Sequence, residues 1–176
     1  DRWLVISRAR LPWLIVGMFG GIFASLLIGV YEPDIMLHPE MAFFIPLIAA
    51  MGGNVGVQSS ALVVQGLANN SLSKDGIFPK LMKELGIGLL NGLICALLIF
   101  GYNFFVSDSY GLSFTVSIAL FAVICFAAVF GTFVPLILDK YKIDPALATG
   151  PFITTMNDIV GLVIYFLIGK MLYIYF

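Results

Sequence analysis

Five long apolar segments, separated by short polar segments, constrain the fold of this chain more than any other feature of its sequence. We place them near residues 12–31, 41–67, 85–106, 111–138 and 145–170. As an α-helix rising about 1.5 Å per residue, each can cross a hydrocarbon core of about 30 Å. Since 61% of the residues are hydrophobic and only 11% are charged, a water-soluble core is excluded. The sequence predicts an all-α integral membrane protein with five transmembrane helices in a single domain, residues 1–176.

The basic residues are distributed unevenly between the polar segments, which predicts the orientation of the chain in the membrane. Those before the first span or in the second and fourth connections are Arg2, Arg8, Arg10, Lys74, Lys80, Lys83, Lys140 and Lys142. The first and third connections carry acids instead, namely Glu32, Asp34, Glu40 and Asp108. Because basic loops stay in the cytosol, we expect a cytosolic N-terminus and a C-terminus outside. The outer acids either concentrate cations at a pore mouth or are simply solvated loop residues.

One carboxylate, Asp158, lies near the middle of the last apolar segment with no other charge close to it. A charged residue at membrane depth indicates a functional site. At 3.6 residues per turn, Thr154, Asp158, Gly161 and Tyr165 fall on one side of this helix. Pro151 removes one backbone donor from the same helix, and irregular backbone at membrane depth normally lines a cavity or pore. We therefore predict that this face meets protein or water and that Gly161 and Tyr165 line a pore together with Asp158.

The second span carries another polar stripe. Its amides Asn54, Gln58 and Gln65 lie on one side of a helix. Gly52 and Gly56 have the spacing that lets membrane helices approach closely, so helix packing is the alternative interpretation. We favour a pore lining, because three amides on one face exceed what packing requires.

Two further acids could contribute to a cytosolic pore mouth. Glu84 lies at the predicted start of the third span, where a carboxylate either favours the positive end of the helix dipole or binds an ion. Asp144 precedes Pro145, and this pair is typical of a helix N-cap.

Three other residues with metal-binding side chains have ordinary interpretations. His38 is a lone histidine in a loop, where we expect it to be solvated. Cys95 and Cys125 both lie in apolar runs without metal-ligand spacing, so we interpret them as buried small hydrophobic residues.

Four short motifs together resemble the transmembrane domain of the MgtE family of magnesium channels. They are Gly-Gly-Asn-Val-Gly-Val-Gln-Ser at 52–59, Lys-Glu at 83–84, Asp-Pro-Ala-Leu at 144–147 and Asn-Asp-Ile-Val-Gly at 157–161. The resemblance runs from about Arg10 to the C-terminus. It implies a homodimer with five helices per subunit, a pore on the twofold axis lined by the second and fifth helices, and selectivity for Mg²⁺.

The resemblance also implies roles for individual residues. The position of Asp158 matches the family's pore carboxylate, which binds hydrated Mg²⁺ together with backbone carbonyls that correspond to Thr154 and Gly150. Acids near the cytosolic mouth connect the family's pore to ion-sensing domains, which normally precede this region. We expect this chain to be such a membrane domain, without its N-terminal cytosolic sensor domains, from a protein of the bacterial inner membrane.

The chemistry of Mg²⁺ agrees with these expectations. Mg²⁺ is small and hard, and it prefers one or two carboxylates while keeping several waters. A symmetric dimer would present two copies of Asp158 to one divalent ion, with Thr154, Gly150 and Asn54 as outer-shell contacts. Ligand type alone does not separate Mg²⁺ from Mn²⁺, Co²⁺ or Ni²⁺.

Other functional classes fit less well. A secondary Mg²⁺ carrier coupled to Na⁺ or H⁺ would also need a mid-membrane carboxylate, and it remains the alternative. An intramembrane protease needs two membrane Asp residues or a Ser–His pair, so we expect no enzyme. A structural anchor does not account for the amide stripe. The formal net charge of -1 says nothing about nucleic acid, and we expect no nucleic-acid partner.

Overall fold

The structure, a computed structural model, is a bundle of helices and describes residues 2–72 and 74–176. Its α-helices are α1 (Arg2–Val30), α2 (Glu32–Leu37), α3 (Ile45–Ala68), α4 (Ile77–Val106), α5 (Tyr110–Lys140) and α6 (Pro151–Leu172). Short 3₁₀ helices, Pro39–Phe44 and Pro145–Ala148, precede α3 and α6. Within the described residues no β-strand occurs, and five helices are long and apolar enough to cross a membrane. The predicted all-α architecture with five spans is confirmed.

Two of the helices extend well beyond the predicted spans. α1 begins at Arg2, so Pro12 lies inside the helix and not in its first turn. α4 begins at Ile77, and Glu84 therefore lies about two turns into the helix. The length of an apolar segment reflects the thickness of the hydrocarbon core. The helix itself can continue into water until a helix-breaking residue ends it.

The last predicted span is interrupted before its midpoint. The 3₁₀ helix ends at Ala148, Thr149 and Gly150 form a turn, and α6 begins at Pro151. Proline suits this first position because its missing N–H would have no partner there. The side chain of Asp144 accepts a hydrogen bond from the backbone N–H of Ala146 at 3.0 Å, which confirms its predicted role as an N-cap.

α5 lies at the centre of the bundle, in contact with α3, α4 and α6. Val116, Val123 and Ile124 on this helix are buried in the core. Glycine allows α4 to approach it closely, because a Cβ added at Gly92 would lie 3.1 Å from Cδ2 of Phe121. α1 packs on the outside of the bundle against α6.

At one end of the bundle, the segment between α1 and α3 is tied to the end of α6. The hydroxyl of Tyr165 donates to the backbone oxygen of Met41 at 2.8 Å, and that of Tyr173 donates to Oε1 of Glu40 at 3.0 Å. The ring of His38 stacks on Tyr173 with centroids 3.7 Å apart, and its Nδ1 lies 3.9 Å from Oε1 of Glu40. His38 therefore packs against Tyr173 while its side chain stays 37% exposed. We call these five residues the outer clamp.

The acidic connections meet at this same end. The start of α5 joins them, since a Cβ added at Gly111 would lie 3.0 Å from Cε1 of Tyr173. At the opposite end, Trp13 of α1 shares a hollow with Leu147 and Gly150. The first and third connections thus lie together, as the alternation of five spans requires.

Candidate ion-binding groove

A groove between α3 and α6 brings together four of the residues predicted to line a pore. Its volume is about 360 Å³. The lining residues are Ala49, Ala50, Gly53, Asn54, Val57 and Gln58 of α3, and Thr154 and Asp158 of α6. The two polar stripes therefore face each other across one surface hollow.

Asp158 is partly buried and reaches the groove beside the backbone of α3. A Cβ added at Gly53 would lie 3.8 Å from its Oδ1, an ordinary van der Waals distance, so the carboxylate lies next to this part of α3. Among the residues that the structure describes, no basic side chain forms an ion pair with Asp158. Lys170, on the same helix, is twelve positions further on. Within the described part of the protomer, the carboxylate thus has no cationic partner.

Thr154 occupies the groove, whereas Gly150 lies outside it. The backbone N–H of Thr154 donates to the carbonyl of Gly150 at 3.2 Å, and its hydroxyl lies 3.3 Å from that oxygen and 3.2 Å from the carbonyl oxygen of Pro151. Gly150 lines the separate hollow that contains Trp13. Its carbonyl accepts the backbone hydrogen bond from Thr154, and the contact between this carbonyl and an ion stays a prediction.

Gly161 and Tyr165 also lie away from the groove, and the prediction that they share the open face of Asp158 is corrected. Both are buried. A Cβ added at Gly161 would lie 3.6 Å from Cγ2 of Ile48, and Tyr165 belongs to the outer clamp.

The reason lies in how α6 contacts the rest of the bundle. Its buried positions follow a ridge with a spacing of four residues: Ile153, Asn157, Gly161, Tyr165 and Gly169. Each step along such a ridge turns by about 40° around the helix. The buried face therefore moves around α6, leaving Thr154 and Asp158 open at one end and covering Gly161 and Tyr165 at the other.

The remaining predicted polar residues lie outside the groove. Glu84 accepts a hydrogen bond from the hydroxyl of Ser59 at 3.4 Å. Asp144 caps the short 3₁₀ helix, and Gln65 lies beyond the groove toward the end of α3. Over the described part of the chain, no three His, Cys, Asp or Glu side chains cluster as a metal site. Among the described residues, Asp158 is the one carboxylate that lines the groove.

Asn157 is a notable residue to which sequence reasoning assigned no role. It is 1% exposed, and within the described residues neither its Oδ1 nor its Nδ2 has a hydrogen-bond partner. The available signal was its position beside Asp158, combined with the glycine pair Gly52 and Gly56 on the facing helix.

The family comparison covers both walls of the groove. A family model named MgtE and described as a divalent cation transporter matches residues 45–168. This range includes every residue that lines the groove. The chain belongs to the MgtE family. The resemblance inferred from the four motifs is confirmed.

Three relatives of this MgtE-family chain are each named magnesium transporter MgtE. The protein of Bacillus subtilis is 37% identical over 162 residues, covering 92% of this chain and 36% of the relative. That of Enterococcus faecalis is 38% identical over 174 residues, 98% of this chain and 38% of the relative. That of Thermus thermophilus is 31% identical over 165 residues, covering 93% of this chain and 36% of the relative. The MgtE-family chain therefore spans little more than a third of the length of these relatives.

Proposed function

We propose that this MgtE-family chain forms the membrane pore of a Mg²⁺ channel and passes a largely hydrated ion past Asp158. The observation that carries the proposal is the carboxylate of Asp158, which has no cationic partner among the described residues and lies in a groove that also holds the amides Asn54 and Gln58. A charged side chain at membrane depth costs free energy, so its presence there indicates a function. Relatives named magnesium transporters support Mg²⁺ as the transported ion.

The pore requires a second copy of the chain. One protomer provides only a single wall, formed by α3 and α6, and one carboxylate. A twofold axis along the groove would bring Asp158 opposite its counterpart in the partner. The two carboxylates would then balance the charge of one divalent cation. We therefore propose a homodimer whose pore lies on this axis, lined by α3 and α6 of both subunits.

Hydration of the ion explains the composition of the groove. Mg²⁺ loses water reluctantly and usually keeps several waters when it binds. Carboxylate oxygens of Asp158 would accept hydrogen bonds from these waters, as would the side-chain oxygens of Asn54 and Gln58. An open groove of about 360 Å³ per protomer has room for water around an ion. The same ligand set accepts Mn²⁺, Co²⁺ and Ni²⁺, so the preference among these ions is part of what transport measurements must determine.

The charge distribution supports a defined orientation. We propose that the basic end of the bundle faces the cytosol of a bacterium and that the acidic end, with the C-terminus, lies outside the inner membrane. Glu84 and Asp144 would then lie toward the cytosolic end. We further propose that cytosolic sensor domains precede this pore in the full-length protein, in keeping with relatives almost three times as long as the aligned region.

The decisive experiment replaces the groove carboxylate. Asp158→Asn keeps the size of the side chain but removes its charge. We expect Mg²⁺ flux into proteoliposomes to fall by about 100-fold or more, because attraction between opposite charges is strong at low dielectric and each 1.4 kcal/mol is tenfold. Asp139→Asn, which removes an exposed carboxylate near the end of α5, should leave the flux unchanged. Near-normal flux through folded Asp158→Asn would contradict the proposal.

A coupled carrier would use the same carboxylate, so it needs a different test. Flux through a channel follows the electrochemical gradient of Mg²⁺ alone. Proteoliposomes with and without an imposed Na⁺ or H⁺ gradient, held at the same membrane potential, should therefore give equal Mg²⁺ flux. A flux that requires either gradient would favour the carrier.

A further inference from the structure

The side chain of Asn157 fills the contact between α6 and α3 directly behind the groove. It is 1% exposed, and in the described part of the chain both polar atoms of its amide lack a hydrogen-bond partner. Burying an amide without a partner costs free energy that an apolar side chain of similar size would avoid. The contribution of Asn157 to stability therefore does not explain its presence beside Asp158.

Gly56 of α3 makes the space that the amide of Asn157 occupies, and Gly52 lies beside the backbone of Asn157. A Cβ added at Gly56 would overlap Nδ2 of Asn157 and lie 2.9 Å from Cγ2 of Ile153. A Cβ added at Gly52 would lie 3.5 Å from the backbone oxygen of Asn157 and 3.7 Å from its Cβ. The amide thus fits against the backbone of α3 at Gly56, where no side chain intervenes. We call this contact the Asn157 seat, formed by Asn157, Gly52 and Gly56.

α3 cannot easily move away from this contact, because α5 lies directly behind it. A Cβ added at Gly131 of α5 would lie 2.5 Å from the carbonyl oxygen of Gly56. The two helices therefore touch backbone to backbone. If the seat becomes overfilled, the displacement must be taken up mainly by α6.

A displacement of α6 at the seat reaches the groove immediately. Asn157 and Asp158 are consecutive residues, about 100° apart around the helix. Asn157 points toward Gly56, while Asp158 lies beside Gly53 in the groove. A rotation of α6 that moves the amide of Asn157 therefore also changes the direction in which the carboxylate of Asp158 points into the groove.

We propose that Asn157 is a positioning residue for ion selection, whose amide, held against Gly52 and Gly56, sets the direction in which Asp158 faces the ion. The proposal rests on the proposed role of Asp158 in binding the transported ion. A hydrated ion is recognised by the arrangement of the groups around it, and Ca²⁺ accepts more ligands in looser geometry than Mg²⁺. A rotated carboxylate should therefore reduce discrimination against Ca²⁺.

A double-mutant cycle tests this coupling in proteoliposomes of the full chain. Gly56→Ala should raise the Mg²⁺ concentration that gives half-maximal flux by about tenfold and lower the Mg²⁺/Ca²⁺ flux ratio, because it displaces the amide. Asn157→Ala alone should raise that concentration by about threefold. In the double variant the added methyl group no longer meets the amide, so its values should resemble those of Asn157→Ala. Effects that multiply in the double variant would overturn the proposal.

A second measurement follows the side chain at position 158 without any transport. Asp158→Cys is placed in a chain in which Cys95 and Cys125 are replaced by alanine, and its reaction rate with a cationic water-soluble thiol reagent is measured. Gly56→Ala should change this rate at least about threefold, and adding Asn157→Ala should restore it. Gly92→Ala, which crowds the contact between α4 and Phe121, serves as the matched control and should leave the rate unchanged. A rate that is insensitive to Gly56→Ala would overturn the proposal.

Asn157→Gln is the alternative if Gly56→Ala does not fold, because it overfills the seat from the side of α6. It should lower the Mg²⁺/Ca²⁺ flux ratio, and an unchanged ratio in the folded variant would overturn the proposal. Failure of the proposed function gives a different result. Undiminished flux through Asp158→Asn would contradict the proposed ion site. Loss of that flux, together with independent effects of substitutions at positions 56 and 157, would contradict only the positioning role of Asn157.

Discussion

Thr154 shows how a single residue stabilises the interrupted start of α6. Its backbone N–H donates to the carbonyl of Gly150, while its hydroxyl lies within reach of the carbonyls of Gly150 and Pro151. These contacts fall where Pro151 contributes no backbone donor. Thr154 also lines the groove one turn before Asp158. The side chain therefore links the break in the backbone to the proposed ion path.

Thr154→Gly should reduce ion discrimination more than it reduces Mg²⁺ flux. The variant keeps the backbone carbonyl at position 154 but frees the turn that orients it. We expect the Mg²⁺/Ca²⁺ flux ratio in proteoliposomes to fall by about threefold or more, with a smaller change in Mg²⁺ flux. Thr154→Ser, which keeps the hydroxyl, is the matched control. A parallel loss of both fluxes with an unchanged ratio would assign Thr154 to packing alone.

The two tyrosines of the outer clamp should differ in their contributions to stability. Tyr165 is fully buried, so Tyr165→Phe leaves the carbonyl of Met41 without its partner at a cost of about 1–3 kcal/mol. Tyr173 is only partly buried, and Tyr173→Phe should cost about 0.5–1.5 kcal/mol. Thermal unfolding in detergent measures both variants. A larger loss in Tyr173→Phe would contradict the assigned burial.

The outer clamp should also weaken at alkaline pH. Burial, followed by the neighbouring carboxylate of Glu40, raises the pKa of Tyr173 above its ordinary value of 10.0. The unfolded chain then ionises at lower pH than the folded one. This contribution to stability is complete below about pH 10 and is lost as the pH rises further. The loss of melting temperature above pH 10 should therefore be smaller in Tyr173→Phe than in the unchanged chain, and equal losses would contradict this.

At the scale of elements, glycine determines how α1 docks on α6. A Cβ added at Gly20 would overlap Cγ2 of Thr155, whereas one added at Gly17 would meet no described atom within 4 Å. Close approach of membrane helices depends on such small residues, since lipid offers apolar side chains no advantage from burial. The contact at Gly20 is therefore the point at which α1 is held.

Gly20→Ala should weaken this contact, and Thr155→Ser should restore it. Overpacking of a helix contact costs about 1–3 kcal/mol, and serine lacks the methyl group that the new Cβ would meet. Thermal unfolding in detergent should show a loss for the single variant and recovery for the pair. Gly17→Ala provides the control and should be neutral or slightly stabilising, by about 1 kcal/mol at most. Absence of recovery in the pair would show that α1 is held elsewhere.

At the scale of the whole molecule, the groove is an open surface while the opposite parts of the bundle are apolar. Residues such as Leu98 and Phe105 on α4 are more than two-thirds exposed, which suits contact with lipid. A charged groove facing lipid would be unfavourable. This contrast predicts which face of the protomer forms the interface of the proposed homodimer.

Cysteine crosslinking in membranes tests that prediction. In the chain without native cysteines, Thr154→Cys should form crosslinks between subunits with a short bifunctional thiol reagent, because both copies approach the twofold axis. Leu98→Cys on the lipid-facing side should not. Crosslinks that form only through position 98 would contradict an interface on the groove face.

The sequence by itself determined the number of spans and the clustering of charge at the two ends, and it predicts an ion-binding role for Asp158. These follow from local chemistry, because apolar length must match the bilayer and a charge at membrane depth needs a reason. The amides of Asn54 and Gln58 were likewise assigned to the correct face. The predicted spans end where the apolar residues end, so they do not include the first turns of α1 and α4.

Only the tertiary structure decided which members of each helical face are open. Periodicity places Gly161 and Tyr165 with Asp158, but the ridge through which α6 contacts the bundle turns around the helix and buries them. Gly150 likewise lines a different hollow, and Asn157 packs against Gly56. Such choices depend on how closely and at what angle helices cross. That geometry is set by side chains from several helices at once, so no single segment encodes it.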